Sequence, residues 1–338
     1  MRVVLLVEKP SMAKRLAPFV AAQWPKATLQ VVCVSPLGVY RAPLPRGLGW
    51  ADYPYIAPFD VDRFSLVPQS FFKGWVWEAE DGLLQPSWDN APAQAQAWLQ
   101  GADAMIAIYS GDELFQFEVA CRKLMGKGVL EATSVHRLLS FDDAAIVKAL
   151  DEPGSLESTV AHDCLEEGRV RHYFHHQFAC NSVTVLRRTA QGLTRSSSPW
   201  ISKYQLQLVQ AMASEAPLKE SEWILRMQSW KGTGRYPIAD GGWSRGLGSA
   251  MSRAKILGQV EDHGWCTLSA TRPAVVSITP EGEAFVRRLH PDCWDPDLPF
   301  RLAQWAKQGL TQCKPSIDRY VRTFFGKQKR FLDQGRQR

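Results

Sequence analysis

The first eleven residues, MRVVLLVEKPS at positions 1–11, decide the fold of the N-terminal part of this chain. Residues 3–7 form an unbroken apolar run that is too short for a helix and is bounded at once by polar residues. Such a run is typical of a strand that is buried on both faces of a parallel sheet. Glu8 and Lys9 follow it directly, at the edge where open α/β sheets place their functional groups. We therefore predict a first parallel strand that ends in an acid and a base.

Length, cysteine content and net charge limit the kinds of protein that this chain can be. The chain has 338 residues, enough for two or three domains, and no apolar stretch in it is long enough to span a membrane. Its seven cysteines include no CxxC pair, so we expect a reduced, soluble, cytoplasmic protein without a zinc site. The net charge of +6 is compatible with a polyanionic partner. Exposed members of the 13 tryptophans could stack on nucleic-acid bases, although core packing explains most of them.

Strand and helix patterns alternate over the first 125 residues. The apolar runs at 29–34 and 104–109 predict two further buried strands, residues 71–80 predict a short one, and residues 91–99 predict a helix. The sequence SGDE at 110–113 follows the strand at 104–109 and opens an amphipathic helix, which makes it a second acidic strand end. This alternation predicts a parallel, doubly wound α/β sheet.

Two motifs in this region resemble the Toprim domain of type IA topoisomerases, in particular the topoisomerase III branch. They are VEKPSMAKRLA at 7–17 and IAIYSGDELFQFEVACRKL at 106–124. In that family a glutamate on the first strand and a D-x-D motif on a later one hold Mg²⁺ beside the scissile DNA phosphate. The resemblance implies that Glu8 and Lys9 are catalytic and that Glu8 and Asp112 are Mg²⁺ ligands. Ser110 stands where the first aspartate of the D-x-D motif is expected.

The resemblance extends to later blocks of the same family. They are AHDCLEEGRVRHYFHHQFACN at 161–181, SSSPWISKYQLQLV at 196–209 and GLGSAMSRAKILGQVEDHGW at 246–265. It implies a mainly helical, winged-helix-like topoisomerase IA domain that contacts DNA. The residues that we predict to bind DNA are Arg171, Asn181, Arg187, Arg188, Lys203 and Arg253.

The arch domains of the full enzymes are largely absent. Only residues 210–245 separate the second of these blocks from the third, which is too short for a gate that holds both DNA ends. We predict a Toprim-like domain at 1–132, a helical topoisomerase-core-like segment at 133–212, a winged-helix-like and C-terminal helical segment at 213–326, and a basic tail at 327–338. Strand passage is not expected of such a chain.

One remnant of the missing part is the sequence YPIAD at 236–240, which retains the Y-P-x-x-D of the family's nucleophile motif. In the family the tyrosine attacks a DNA phosphodiester, so Tyr236 is a catalytic candidate. The simpler interpretation, which we favour, is a Tyr-Pro turn in a shortened connection. His172, His175 and His176 share a helical face, but the arginines beside them favour a polar or DNA-facing surface over a zinc site.

Three functions are compatible with these patterns. The first is a DNA-binding accessory protein derived from a topoisomerase III-like ancestor, which binds single-stranded or junction DNA in plasmid or mobile-element processing, together with other DNA-processing proteins and away from membranes. The second is a DNA-nicking enzyme that uses Glu8 and Asp112 with Mg²⁺, or Tyr236 as nucleophile. The third is a structural subunit that docks a partner through the aromatic-rich connection at 40–80.

Overall fold

The computed structural model of the protein describes residues 1–34, 40–67, 72–111, 113–126, 134–154, 158–198, 200–236, 246–249 and 252–335. They belong to two compact units. The first comprises Met1–Pro43 and Phe59–Arg171, and the second comprises Leu44–Pro58 and His172–Arg338.

The first unit alternates strands and helices. In chain order it contains β1 (Arg2–Val7), α1 (Pro10–Gln23), β2 (Thr28–Val34), β3 (Tyr40–Arg41), β4 (Ser65–Leu66), β5 (Phe72–Glu78), β6 (Leu83–Asp89), α2 (Pro92–Gln100), β7 (Ala104–Tyr109), α3 (Glu113–Met125), β8 (Ser134–Arg137), α4 (Asp143–Asp151) and the start of α5 (Thr159–Ser182).

Its main sheet has the strand order β6-β5-β2-β1-β7-β8. The four strands β2, β1, β7 and β8 are parallel to one another, and β1 is hydrogen-bonded to a parallel neighbour on each side. Side chains of β1 are buried on both faces: Val3 and Leu5 pack in one apolar cluster with α1, while Val4 and Leu6 pack in the other with α3. The prediction of an α/β fold with a buried first strand is confirmed.

The sheet is mixed rather than wholly parallel, which corrects the prediction at one edge. β5 runs antiparallel to β2, and β6 pairs antiparallel with β5 as the outer strand. The sequence pattern does not reveal β6 because its residues, LLQPSWD, do not alternate and include Pro86. Proline is tolerated there because an edge strand leaves one row of backbone groups unpaired.

The second unit is mainly helical. After the end of α5 it contains α6 (Val185–Thr189), α7 (Lys203–Ser214), β9 (Leu218–Lys219), α8 (Glu220–Gln228), α9 (Arg253–Asp262), β10 (Cys266–Leu268), β11 (Val275–Ile278), α10 (Pro280–Arg287), α11 (Leu298–Gln308) and α12 (Leu310–Gly335). The three short strands form an antiparallel sheet in the order β10-β11-β9.

Aromatic side chains join the long helices of this unit. Phe178 of α5 lies with its ring centre 5.7 Å from that of Phe324 and 5.1 Å from that of Phe325, both on α12. Residues 327–335, which we assigned to a basic tail, are the last turns of α12. The helix continues because Phe325 and Gln328, which lie within two residues of the predicted boundary on either side, are fully buried.

An extended segment at 44–58 is held on α5 by two buried amide side chains. Asn181 accepts a hydrogen bond from the Tyr55 amide and donates one to the Tyr55 carbonyl, both at 2.8 Å. Gln177, one turn earlier, makes the same pair of bonds to the backbone of Ala57, also at 2.8 Å. These bonds fix part of the connection that we considered as a docking surface.

We expect Asn181→Ala to destabilise the second unit. The substitution leaves the backbone amide and carbonyl of Tyr55 without their side-chain partner, at a cost of about 1–3 kcal/mol for each group that stays buried. Thermal unfolding followed by circular dichroism measures the effect. Gln304→Ala removes an exposed amide from α11 and should leave the melting temperature unchanged. Equal melting temperatures for both variants would contradict the role of Asn181.

Candidate nucleic-acid interface

Glu8 and Lys9 lie at the carboxyl end of β1, as predicted. The Lys9 ammonium is 3.3 Å from Glu8 Oε2, and the Glu8 side chain is only 12% exposed. The Cys33 thiol donates to the Glu8 carbonyl at 3.0 Å. Burial, aided by the Glu8 charge, raises the pKa of Cys33 to about 12, so this thiol stays protonated at neutral pH. Cys33 is therefore not a ready nucleophile.

At the second acidic strand end, after β7, Ser110 and Glu113 are joined by hydrogen bonds. The Ser110 hydroxyl donates to Glu113 Oε1 at 2.7 Å, and the Ser110 amide donates to the same oxygen. Glu113 is 3% exposed. An aspartate at position 110 would bring a second negative charge against Glu113, whereas serine supplies a proton donor. Ser110, at the position where the resembled family has an aspartate, is thus matched to the glutamate three residues later.

The described carboxylates at this edge do not by themselves fit an Mg²⁺ site. Asp112, the second predicted ligand, lies outside the described residues, and Glu8 is paired with Lys9. Further along α3, the carboxylate of Glu118 is bound by Arg122 at 2.6 Å and by Arg169 at 2.9 Å. Among the residues that the structure describes, no three His, Cys, Asp or Glu side chains gather as metal ligands would. We therefore assign no chemical step to a metal ion.

Four of the six predicted DNA-binding residues are committed to contacts inside the protein. Arg171 forms an ion pair with Glu167 at 2.7 Å. Asn181 is fully buried against the backbone at 55. Lys203 is 2% exposed, and its ammonium lies 4.7 Å from the ring centres of both Phe174 and Tyr204. Arg253 is 6% exposed at the start of α9. We leave these four out of the proposed interface.

The other two predicted residues, Arg187 and Arg188, lie on α6 at the surface of the second unit. Arg187 is exposed. The Arg188 guanidinium is 4.1 Å from the ring centre of Trp50, and the Lys329 ammonium is 5.5 Å from the same ring. The Trp50 indole nitrogen donates to Asp333 at 3.0 Å, which fixes the ring between α6 and α12. The sequence did not indicate Trp50, because its partners lie more than 100 residues away.

Buried Gln328 on α12 holds several basic elements together. Its amide nitrogen donates to the Thr189 hydroxyl of α6 at 3.2 Å and to the Arg288 carbonyl at 2.8 Å. The Arg288 guanidinium in turn donates to the Gln191 carbonyl at 2.8 Å. These bonds join α6, α12 and the end of α10, which carry five cations at the surface of the second unit. We call this set of cations the basic face, and it consists of Arg187, Arg188, Arg288, Lys329 and Arg330.

Tyr236 is half-buried between two arginines. The guanidinium carbon of Arg301 on α11 lies 5.6 Å from the Tyr236 ring centre, and that of Arg235 lies 5.9 Å from it. Burial alone would lower the pKa of Arg301. The Asp295 carboxylate, 3.4 Å from the guanidinium, and the Tyr236 phenol outweigh burial, so the pKa of Arg301 is raised. Arg301 therefore stays cationic beside the phenol. Residues 237–240, which complete the YPIAD motif, lie outside the described residues.

The histidines of α5 do not share one environment. His176 is 8% exposed, and burial lowers its pKa to about 4 despite a hydrogen bond with the Pro58 backbone. Its ring lies 3.6 Å from the Cys180 sulfur, and burial raises the pKa of that thiol to about 12. His175 instead lies 3.4 Å from the Lys203 ammonium, which would repel a metal cation.

Comparison with known proteins adds no relative. No protein-family model matches the chain, and no curated protein matches it significantly. The resemblance to type IA topoisomerases therefore stays a prediction from the motifs. Within the described part of the chain, every helix is too short or too polar to cross a lipid bilayer.

We expect the stability of the second unit to fall as the pH drops from 6.5 to 4. The pKa of His176 is about 4 in the folded protein, against an ordinary value of 6.5 in the unfolded chain, so acid protonates the unfolded chain first. The stability due to neutral His176 is complete above pH 6.5 and is lost towards pH 4. Melting temperatures across this range should change less in His176→Asn than in the wild type. His162→Asn, which alters an exposed histidine, should retain the wild-type dependence, and an equally steep fall in all three proteins would contradict the expectation.

Proposed function

We propose that the protein binds single-stranded or junction DNA without sequence preference, as an accessory protein of plasmid or mobile-element DNA processing. The basic face is the observation that carries this proposal. Two residues that the sequence marked for DNA binding, Arg187 and Arg188, stand on it, and three further cations join them there. The carboxylate of Asp333, which lies beside Trp50, accepts a hydrogen bond from the indole nitrogen.

A surface of this kind suits the phosphate backbone. Arginine and lysine that neutralise phosphates release condensed counterions, and this supplies most of the free energy of non-specific binding. Trp50 holds Arg188 and Lys329 by contacts with its ring, and Lys329 also donates to the Tyr53 carbonyl at 2.8 Å. Cations fixed in this way lose little conformational freedom when a strand binds.

The order of elements supports descent from a topoisomerase III-like ancestor. In the first unit, a mixed sheet with a parallel core, Glu8 after β1 and SGDE after β7 supports the resemblance to a Toprim domain, from which Ser110 departs. In the second unit, the order α7-β9-α8-α9-β10-β11, with an antiparallel sheet of the three strands, supports the winged-helix-like part of the proposal. The short connection after α8 leaves no room for arch domains, so the proposal excludes strand passage.

The double variant Arg187→Gln/Arg330→Gln tests the basic face. Both residues are exposed, so the fold should not change. We expect weaker binding to every oligonucleotide sequence, and a slope of log K against log salt that is smaller by about 1.4 on single-stranded DNA, since each lost phosphate contact removes about 0.7. Fluorescence anisotropy with labelled oligonucleotides at several salt concentrations measures both.

The matched control removes two exposed cations from elsewhere, as Lys26→Gln/Lys307→Gln, and has the same net charge. It should keep the wild-type slope. Identical slopes for the two double variants would exclude the basic face, and wild-type protein that shifts no DNA at low salt would end the proposal.

A second candidate function, DNA nicking, is favoured by the position of Arg301 beside Tyr236. In such a reaction the phenol oxygen would bond to phosphorus, the bond to one deoxyribose oxygen would break, and the proton lost by the phenol would be balanced by one gained on that oxygen. Arg301 and Arg235 would stabilise the charge on the phosphoryl oxygens. Glu8 and Lys9 belong to the first unit and are given no role in this step.

Incubation with supercoiled plasmid, stopped in detergent, tests this candidate. A covalent reaction predicts nicked plasmid joined to protein, and both should disappear in Tyr236→Phe, which keeps the ring but removes the nucleophile. Tyr204→Phe, on α7, is the matched control and should retain the adduct. Absence of nicks from the wild-type reaction, with and without Mg²⁺, would leave DNA binding as the sole proposed function.

A further inference from the structure

An exposed tryptophan, Trp294, lies outside the basic face on the second unit. Trp294 is 39% exposed to solvent. The ring packs edge-to-face on Trp230, with 6.1 Å between ring centres and 72° between ring planes. Trp230 itself is 4% exposed, and its indole nitrogen donates to the Pro296 carbonyl at 2.8 Å. One ring is therefore fixed in the protein, and it supports the other at the surface.

Buried glutamines of α7 fix the backbone on both sides of Trp294. Gln207, 1% exposed, accepts a hydrogen bond from the Asp295 amide at 3.1 Å and donates to the Cys293 carbonyl at 3.4 Å. Gln210 donates to the same carbonyl at 3.2 Å. The Trp294 amide donates to the Pro291 carbonyl at 3.0 Å. Because these bonds hold the backbone, the ring can present a face to a ligand without first being ordered.

A second segment, 230–236, is tied to the same turn. Asp297 accepts hydrogen bonds from the amide of Thr233 at 2.6 Å and from its hydroxyl at 2.5 Å. Gly232 has a φ of +60°, and a Cβ there would collide with Asp297 Oδ1. Only glycine allows this close approach. The approach ties the segment that carries Arg235 and Tyr236 to the turn that carries Trp294.

Two cations accompany the exposed ring. Arg301 forms its ion pair with Asp295, the residue next to Trp294, and also lies against Tyr236. Arg235 is exposed to solvent and belongs to the segment 230–236, where it lies against the Tyr236 ring. A surface that combines an exposed aromatic ring with nearby arginines offers stacking to a base and charge to its phosphates.

We propose that Trp294 is a stacking platform for an unpaired base of single-stranded DNA, with Arg235 and Arg301 as contacts for the adjoining phosphates. This inference rests on the proposed DNA binding and adds a site that distinguishes single strands from duplex. A base in duplex DNA is stacked between its neighbours and cannot place its face on Trp294, whereas an unpaired base can. The basic face binds both forms through their phosphates, so Trp294 supplies the preference.

The test compares Trp294→Ala with wild type on a fluorescein-labelled dT20 strand and on the same strand in a dT20·dA20 duplex. Base stacking on an aromatic side chain is worth about 1–3 kcal/mol, so loss of the ring should weaken dT20 binding roughly 5- to 150-fold. Duplex affinity should change less than about twofold, and the salt dependence should not change, because no charge is removed. Trp294→Phe, which keeps an aromatic face, should recover most of the dT20 affinity.

Trp200→Ala is the matched control, since Trp200 is also an exposed tryptophan of the second unit, at 37%. It should bind both DNAs as the wild type does. Equal dT20 affinities for Trp294→Ala and Trp200→Ala would overturn the stacking site while leaving DNA binding intact. An equal loss on strand and duplex would overturn it as well. A wild-type protein that binds neither DNA would overturn the proposed function itself.

Photocrosslinking gives a readout on the unaltered protein. A dT20 strand that carries 5-iododeoxyuridine forms a bond with an aromatic ring stacked on it when it is irradiated. Trypsin releases Trp294 in the peptide 289–301 and Trp200 in the peptide 196–203. The proposal expects the nucleotide adduct on the first peptide. Adducts found only on other peptides would contradict it, even if Trp294→Ala failed to fold.

Discussion

Pairing between buried amide side chains and backbone groups is the interaction on which the second unit depends. Several of its segments have no regular secondary structure and still lie among the helices. Each backbone amide or carbonyl that is buried without a partner costs about 1–3 kcal/mol. Amide side chains carry a donor and an acceptor together, so one residue can satisfy both groups of a peptide segment. The residues that do so are Gln177, Asn181, Gln207 and Gln328, while Gln210 only donates, to the Leu206 and Cys293 carbonyls.

The same bonds explain where the surface groups lie. Gln177 and Asn181 hold the segment that carries Trp50, and Trp50 holds two cations of the basic face. Gln207 fixes the turn that carries Trp294. Residues that the family resemblance marked for DNA, above all Asn181, thus support the proposed interface from inside the protein rather than touching a nucleic acid. Substitutions at these positions should act on DNA binding through stability.

The sheet of the first unit and the polar residues at its edge are set by different parts of the sequence. Apolar runs buried on both faces form the parallel strands of this sheet, whichever polar residues follow each run. At the end of β7, Ser110, which stands where the resembled family has its first aspartate, is hydrogen-bonded to Glu113. At the end of β1, Glu8 pairs with Lys9. Glu8 and Glu113 are thus engaged at this edge, and the DNA contacts that we propose lie on the second unit.

The sequence by itself determined the parallel core of the first unit, which consists of β1, β2 and β7 with α1 and α3. Each of these elements can be recognised on its own, because the spacing of its apolar residues is a local pattern. It also marked the arginines of α6 as basic and Tyr236 as a candidate. Only the tertiary structure decided which polar residues are buried: Asn181 and Tyr55 are 126 positions apart, and no local pattern encodes their pairing. The contact between Arg301 and Tyr236 likewise joins residues that are far apart in the sequence. The same is true of the hydrogen bonds from α7 that fix the backbone beside Trp294. Long-range contacts of single polar side chains have no period, so they emerge only when the helices pack.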